Sequence, residues 1–253
     1  MRTFLFACAF LCTASVAFAQ NTRITDDNSI GWWTTTGTIA FSKKWSLHAE
    51  YQWRREDVVR TWQQSLARTG INYHLNDRVT LRAGYAWIET FNYGDIPLQA
   101  AGRTFTEHRL YQVATITDKL NKLDLSHRFM LEQRWVGRFT DAQAQKESDY
   151  LYSNRLRYMF RVQRPIIQNK GKGRQLYAAL YDEVFIGFGK NVNENVFDQN
   201  RVGALIGYRF GPKLRVEGGY FNQILQLGRE VDARNVFQYN QGIIVNTIWN
   251  LKL

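Results

Sequence analysis

With 253 residues, 33 basic against 22 acidic side chains, a formal net charge of +11 and aromatics at 15%, the chain is strongly basic and rich in rings. Its two cysteines, Cys8 and Cys12, sit at the extreme N-terminus, so the rest of the chain excludes disulfide frameworks and cysteine-ligated metals. Mean hydropathy is negative, and no segment beyond the N-terminal stretch approaches about 18 consecutive apolar residues, which excludes a membrane-spanning helix.

The chain opens with a secretory leader. Met1-Arg2 is a basic start, Phe4 to Val16 an apolar run, and Ala17-Phe18-Ala19 a small-x-small cleavage site. Residues 1–19 are therefore read as a signal peptide cleaved after Ala19, and residues 20–253 as one domain. Cys12 follows Leu11, where a lipidation signal wants a small residue, so it reads as apolar filler. Asp26-Asp27-Asn28 reads as a solvated N-terminal turn rather than a calcium loop.

Beyond the leader, side chains alternate. In Trp45 to Arg54 every odd position is apolar or small and every even one polar or charged. Val79, Leu81, Ala83, Tyr85 and Trp87 alternate with Thr80, Arg82 and Gly84, and the pattern returns from Leu123 to Trp135. A strand presents successive side chains to opposite faces, so each segment has one apolar and one charged face. Strands are predicted near 30–41, 45–54, 62–75, 79–90, 105–117, 123–137, 150–163, 175–187, 200–210, 214–225 and 236–253. Short turns are predicted at 42–44, 76–78, 118–122 and 211–213, where turn-forming residues cluster. Longer connections are predicted near 55–61, 91–104, 138–149, 188–199 and 226–235, and 164–174 is an oversized turn.

Short turns on one rim and long loops on the other, behind a secretory leader, describe an all-β, antiparallel, up-and-down transmembrane barrel of the bacterial outer membrane. Even strand numbers are the rule there, so residues 21–29 are expected to add a short first strand, giving about twelve, with ten as the fallback. Trp53, Trp87, Trp135, Tyr220 and Tyr239 fall at one end of the lipid-facing rows, and Trp45, Tyr73, Tyr208, Phe210 and Trp249 at the other. Rings at both interfaces are what such a barrel wants. The strand 105–117 fits neither phase, and Trp62 lies on the polar one.

The inward face should carry Glu50, Arg54, Arg68, Arg82, Asp124, Arg128, Glu132, Arg134, Arg155, Arg157, Arg161, Arg201, Arg209, Arg215 and Glu217. Residues two apart, such as Arg215 and Glu217, can pair directly. The expected ladder is Glu50, Arg54, Arg82, Arg128, Glu132, Arg134, Arg155, Arg157, Arg215 and Glu217, with Glu132 held between Arg128 and Arg134. Such charges either fill a narrow lumen or line a passage for anions. Basic residues spread round a barrel argue against nucleic acid as a partner. Lipid, lipopolysaccharide phosphates and the barrel assembly machinery are the partners expected.

No catalytic residue, cofactor or metal site is expected. Beyond the leader the histidines are His48, His74, His108 and His127. Ser126 and His127 are strand neighbours facing opposite ways, Ser46 and His48 share a face without an evident third member, and Glu107-His108-Arg109 reads as a polar rim. No Gly-x-Ser-x-Gly, His-Glu-x-x-His or phosphate loop occurs.

Gly31-Trp32-Trp33, Glu50 to Arg54, His127-Arg128 with Leu131 to Arg134, Tyr181 to Phe185, Asp198 to Arg201 and Gly218-Gly219-Tyr220 together resemble the domain-of-unknown-function 2490 family of Gram-negative envelope proteins. The resemblance spans essentially the whole chain after the leader and implies an outer-membrane barrel, without an activity or ligand. Barrels commonly close on an aromatic residue, whereas this chain ends Trp249-Asn250-Leu251-Lys252-Leu253. The role expected is structural or a narrow, gated, charge-lined conduit for small solutes leaning to anions, with an outer-membrane hydrolase of lipid or lipopolysaccharide as the alternative.

Overall fold

A computed structural model describes residues 23–139, 144, 146–169, 171, 173–192 and 195–253. The leader, its cleavage point after Ala19, Cys8 and Cys12 lie outside the described residues.

Among the described residues eleven strands follow one another: β1 (Ile24–Ala40), β2 (Trp45–Glu56), β3 (Thr61–His74), β4 (Val79–Thr90), β5 (Phe105–Leu120), β6 (Leu123–Arg138), β7 (Asp149–Asn169), β8 (Arg174–Phe188), β9 (Phe197–Arg209), β10 (Leu214–Val231) and β11 (Arg234–Lys252). Each pairs antiparallel with its sequence neighbours, and a parallel ladder between β1 and β11, from Ile24↔Val236 to Ala40↔Lys252, closes the barrel. The count is eleven rather than twelve because residues 24–29 extend β1 along β11 instead of turning back as a separate strand. Parallel closure removes the need for an even number, since the first and last strands run the same way.

Several connections are tighter than the sequence implies. The β10–β11 hairpin continues to a turn at Asp232 and Ala233, which hold φ of 51° and 56°, so 226–235 is mostly strand. Likewise β7 runs on to Asn169 through a bulge between Pro165 and Ile167, which accommodates a proline within a ladder. One rim thus carries the loop 91–104 and the raised hairpin (the loop end), and the other carries the turns at 41–44, 75–78 and 210–213 (the turn end).

Burial is inverted relative to a water-soluble protein. Tyr51, Ile71, Leu81, Phe129, Leu156, Leu180, Ile206 and Ile243 are exposed outside, while Arg54, Glu107, Arg109, Glu132, Arg155, Arg157 and Glu183 are buried within. The outer surface therefore carries an apolar band, broken by the outward Gln112–Gln133 pair, and too large to be accidental exposure. Aromatic pairs cap the band at both ends. Trp45–Tyr73 and Tyr208–Phe210, each 4.7 Å apart, stand at the turn end; Trp33–Trp53 at 5.0 Å and Trp135–Tyr152 at 5.3 Å stand at the loop end.

Bulges and register settle the two strands whose phase was unclear. Arg54 opposes Gln64 while Arg55 opposes Trp62, so Gln63 is the extra residue of a bulge. Gln63 turns inward and Trp62 outward onto Trp53 and Phe91, 6.1 and 5.3 Å away. On β5 the inward row is Phe105, Glu107, Arg109, Tyr111 and Val113, and the outward row includes His108, Leu110 and Ile116. Alternation was masked because rings and aliphatics sit on the inward row of β5 as well.

Mid-barrel, side chains fill the interior. Trp32 lies against Phe221 at 4.5 Å, with Ile30, Tyr177, Ala179, Leu205 and Ile244 around them. A second cluster gathers Leu66, Ala86, Ile88, Tyr111, Val113 and Met130. The Tyr111 hydroxyl reaches Gly70 and Gly84 and donates to the Thr69 carbonyl at 2.9 Å; a Cβ on either glycine would collide with it.

Candidate functional site

Strand phase puts all ten ladder residues on the inner wall, but cross-strand partners, not same-strand neighbours, take most of the charge. Glu132 is wholly buried and accepts from Arg155 at 2.6 Å, Arg157 at 3.0 Å and Arg109 at 3.5 Å. Its expected partners are bound elsewhere: Arg128 pairs with Glu183 at 2.7 Å, and Arg134 with Glu107 at 2.5 Å and Asp198 at 3.4 Å. Arg155 also reaches Asp198 at 2.7 Å, and Arg157 reaches Glu183 at 2.8 Å. Residues directly opposite on adjacent antiparallel strands, such as Glu132 and Arg155, lie closer than residues two apart on one strand. The result is a continuous network over β5 to β9 in which each carboxylate serves two or three guanidinium groups.

At the turn end, Glu217 takes Arg161 at 2.7 Å, Tyr177 at 2.8 Å and Asn246 at 3.1 Å, leaving Arg215 without the direct pair expected. Glu50 meets His48 at 3.3 Å and Arg68 at 3.5 Å, and Arg82 donates to the Asn72 amide at 2.6 Å. Among the described residues, Arg54, Arg82 and Arg215 have no carboxylate within ion-pair distance, and neither does Arg201.

A cavity of about 430 Å³ opens at the loop end, bounded by Trp32, Arg54, Glu107, Arg109, Arg134, Arg155, Asp198, Arg201 and Gln223. Two bulges add polar groups to it. That in β3 presents Gln63, whose Oε1 accepts from Trp32 Nε1 at 2.7 Å. That in β9 presents Asp198 beside Gln199. Bulges re-aim side chains in this way where a site is built.

The loop 91–104 folds over the cavity and is fastened to the opposite wall. Gly94 N–H donates to Glu56 at 2.8 Å, and the N–H groups of Asp95 and Ile96 donate to the Asp26 carboxylate at 3.5 and 3.3 Å. Arg229 grips the Pro97 carbonyl at 2.6 Å. Tyr93 is buried and donates to Gln238 at 2.8 Å, and burial pushes its phenol up to about 12. Asp26 is thus no solvated turn: it is buried in β1 as an acceptor for this loop and for Gln238 at 3.0 Å. Gly94 holds φ of 71°, and a Cβ there would stand 2.7 Å from Asp26 and Asn28.

The histidines divide between the faces. His108 and His127 point outward against Tyr85 and Tyr158, at 2.5 and 2.8 Å. Within the turn end Ser46 contacts not His48 but His74 at 3.1 Å, and His74 in turn contacts Thr80 at 3.1 Å. Glu107, Arg109, Glu183 and Asp198 were absent from the expected ladder. For β5 no phase was legible, Glu183 sits among the rings of β8, and Asp198 fell within a predicted loop. A basic or acidic residue flanked at two-residue spacing, as in Glu107-His108-Arg109, was the available signal.

The family model described as "Protein of unknown function (DUF2490)" matches residues 30–234. No curated protein matches. Among solved structures, the NanC porin in a rhombohedral crystal form is similar at 13% identity with a TM-score of 0.43, over 81% of this chain and 91% of that one.

Proposed function

Because the chain belongs to the DUF2490 family, whose description supplies no activity, we propose its role from the geometry: an outer-membrane β-barrel whose lumen is a narrow, gated conduit for small solutes with a preference for anions. The observation that carries this reading is the surplus of guanidinium over carboxylate groups on the inner wall of a closed barrel, with Arg54, Arg82, Arg201 and Arg215 unmatched by an ion pair. Rings of basic groups lower the barrier for anions and raise it for cations. The apolar outer band and its two aromatic girdles support placement in a bilayer, with lipid and lipopolysaccharide against that band, the turn end in the periplasm and the loop end outside. Loop 91–104 is the gate. Planar-bilayer conductance under a salt gradient tests this: a steady current reversing toward the anion potential is expected, and silence would make the barrel structural.

That structural reading has its own observation. Glu132, Tyr111, Tyr177, Phe185 and Phe221 are fully buried across the middle of the lumen, so the state described is closed there. The hydrolase alternative rests on the contact of Ser46 with His74. Ser46 is wholly buried, and its third member is the Thr80 hydroxyl rather than a carboxylate that would stabilise an imidazolium. An esterase activity lost on replacing His74→Gln would favour it.

A further inference from the structure

We propose that Arg54 and Arg201 form a binding site for one small oxyanion, a carboxylate- or phosphate-bearing solute with a polar body, in the chamber beneath loop 91–104. The proposal deepens the conduit reading and rests on it for the route by which the solute arrives.

Both guanidinium groups converge on one indole. The Arg54 guanidinium lies 3.8 Å from the centroid of a Trp32 ring and that of Arg201 lies 4.7 Å from it. Their polar partners are amides. Arg54 donates to Gln52 at 2.8 Å and to Gln64 at 2.5 Å, and Arg201 donates to Gln199 at 3.0 and 2.8 Å. A guanidinium carries five N–H donors; with a further Arg54 Nη2 bond to Gln52, two are left on Arg54 and three on Arg201. Arg201 has Glu183 in its wider surroundings but no ion pair within contact distance, and the charges that act most strongly on Arg54 are those of Arg201, Arg109, Arg68 and Arg157, all positive.

Holding two like charges together away from bulk water is unfavourable unless something offsets it. In the network of β5 to β9 the offset is a carboxylate; here the ring face and amide oxygens supply part of it. An oxyanion entering the cavity completes the set. Planar forks suit carboxylate and phosphate oxygens, and Gln63 and Gln223 also line the chamber, giving the uncharged part of the solute polar surroundings. The chamber volume of about 430 Å³ accommodates a single small organic molecule.

The test uses the full-length barrel refolded in detergent micelles, with calorimetric titration of gluconate, of inorganic phosphate, and of sorbitol as the uncharged counterpart of gluconate. Saturable binding of an anion and none of sorbitol is expected. Arg54→Gln and Arg201→Gln should each weaken binding by about ten- to a hundredfold, as loss of one charge-assisted hydrogen bond requires, while Lys213→Gln, in an exposed turn at the other end, leaves it unchanged. If Arg54→Gln fails to fold, Arg201→Gln and Arg54→Lys carry the test, the lysine keeping charge but losing the fork. Sorbitol binding as tightly as gluconate, no saturable binding by either anion, or arginine variants that bind like the parent would overturn the proposal. Binding without bilayer current supports the site and removes the conduit; current without binding removes the site and leaves the conduit.

Discussion

Arg155 and Arg54 are both buried, at 3% and 6% exposure, yet they are held in opposite ways. Arg155 sits between two carboxylates, Glu132 at 2.6 Å and Asp198 at 2.7 Å, inside the network of β5 to β9. Arg54 sits on the far wall against Trp32, with only amide oxygens as acceptors. Both arginines border the loop-end cavity; on the side of the β5 to β9 network charge is neutralised by carboxylates, and beside Trp32 positive charge is left over. The first arrangement holds one wall of the barrel together. The second leaves positive charge facing the cavity, which is the charge the proposed anion site would use.

Removing Glu132 should expose this contrast most strongly. Glu132→Ala takes one carboxylate at once from Arg155, Arg157 and Arg109, which keep only Asp198, Glu183 and Glu107, and breaking a buried pair from one side costs about 3–5 kcal/mol. The readout is a lower urea midpoint for the lipid-embedded barrel. A loss of about 1 kcal/mol or less, as for hydrated pairs, would mean that the network is wet and the contrast between the two walls is false.

A shift of one residue along β6 asks the same question of the outer face. Leu131 lies between the inward Met130 and Glu132 on the opposite phase and sits opposite Leu156. Leu131→Arg should cost roughly 2–4 kcal/mol in liposomes and Leu123→Arg, at the turn end, about 0–1. Equal refolding of the two variants would overturn the depth assigned to Leu131.

Gly94→Ala tests the cover over the chamber. Its Cβ would collide with Asp26 and Asn28 at a φ that L residues rarely adopt, so about 1–3 kcal/mol of strain falls on the loop alone. Faster proteolysis within 91–104 and a raised single-channel current, with the global unfolding midpoint little changed, are the expected outcome. A loop as resistant as the parent's would show that the fastening at Asp26 is unimportant.

Arg54→Gln should have the smallest effect on stability, within about 1 kcal/mol in either direction, because amide bonds are lost together with an unmatched charge. Arg155→Gln, which leaves two carboxylates short of a partner, should fall well below it in unfolding midpoint. If the two variants are equally destabilised, the two walls are alike.

Much of the architecture was legible residue by residue. Period-2 alternation on β2, β4 and β6 sets their faces directly, since a strand offers only two, and turn formers mark the rim at 42–44, 76–78 and 211–213. The inward arginines followed from the same rule. Illegible were the places where period 2 is broken: Gln63 and Asp198 enter the chamber through bulges, and a one-residue insertion changes phase without any local mark. The connection 91–104 read as an outer loop, but nothing local to Tyr93 or Gly94 indicates Asp26 or Gln238 as partners, which are distant in sequence.

By itself, then, the amino-acid sequence determined an all-β chain with an apolar and a charged face to strands such as β2, β4 and β6, because side-chain direction along a strand is a local property of the backbone. Tertiary structure alone decided that eleven strands suffice, because closure is a contact between the two ends of the chain, Ile24 with Val236 and Ala40 with Lys252. It also decided which arginines are neutralised. Arg155 and Arg54 look alike in sequence, each on the inward phase of an alternating strand. Only the registers of β6 against β7 and of β2 against β3 place a carboxylate beside one and a glutamine beside the other.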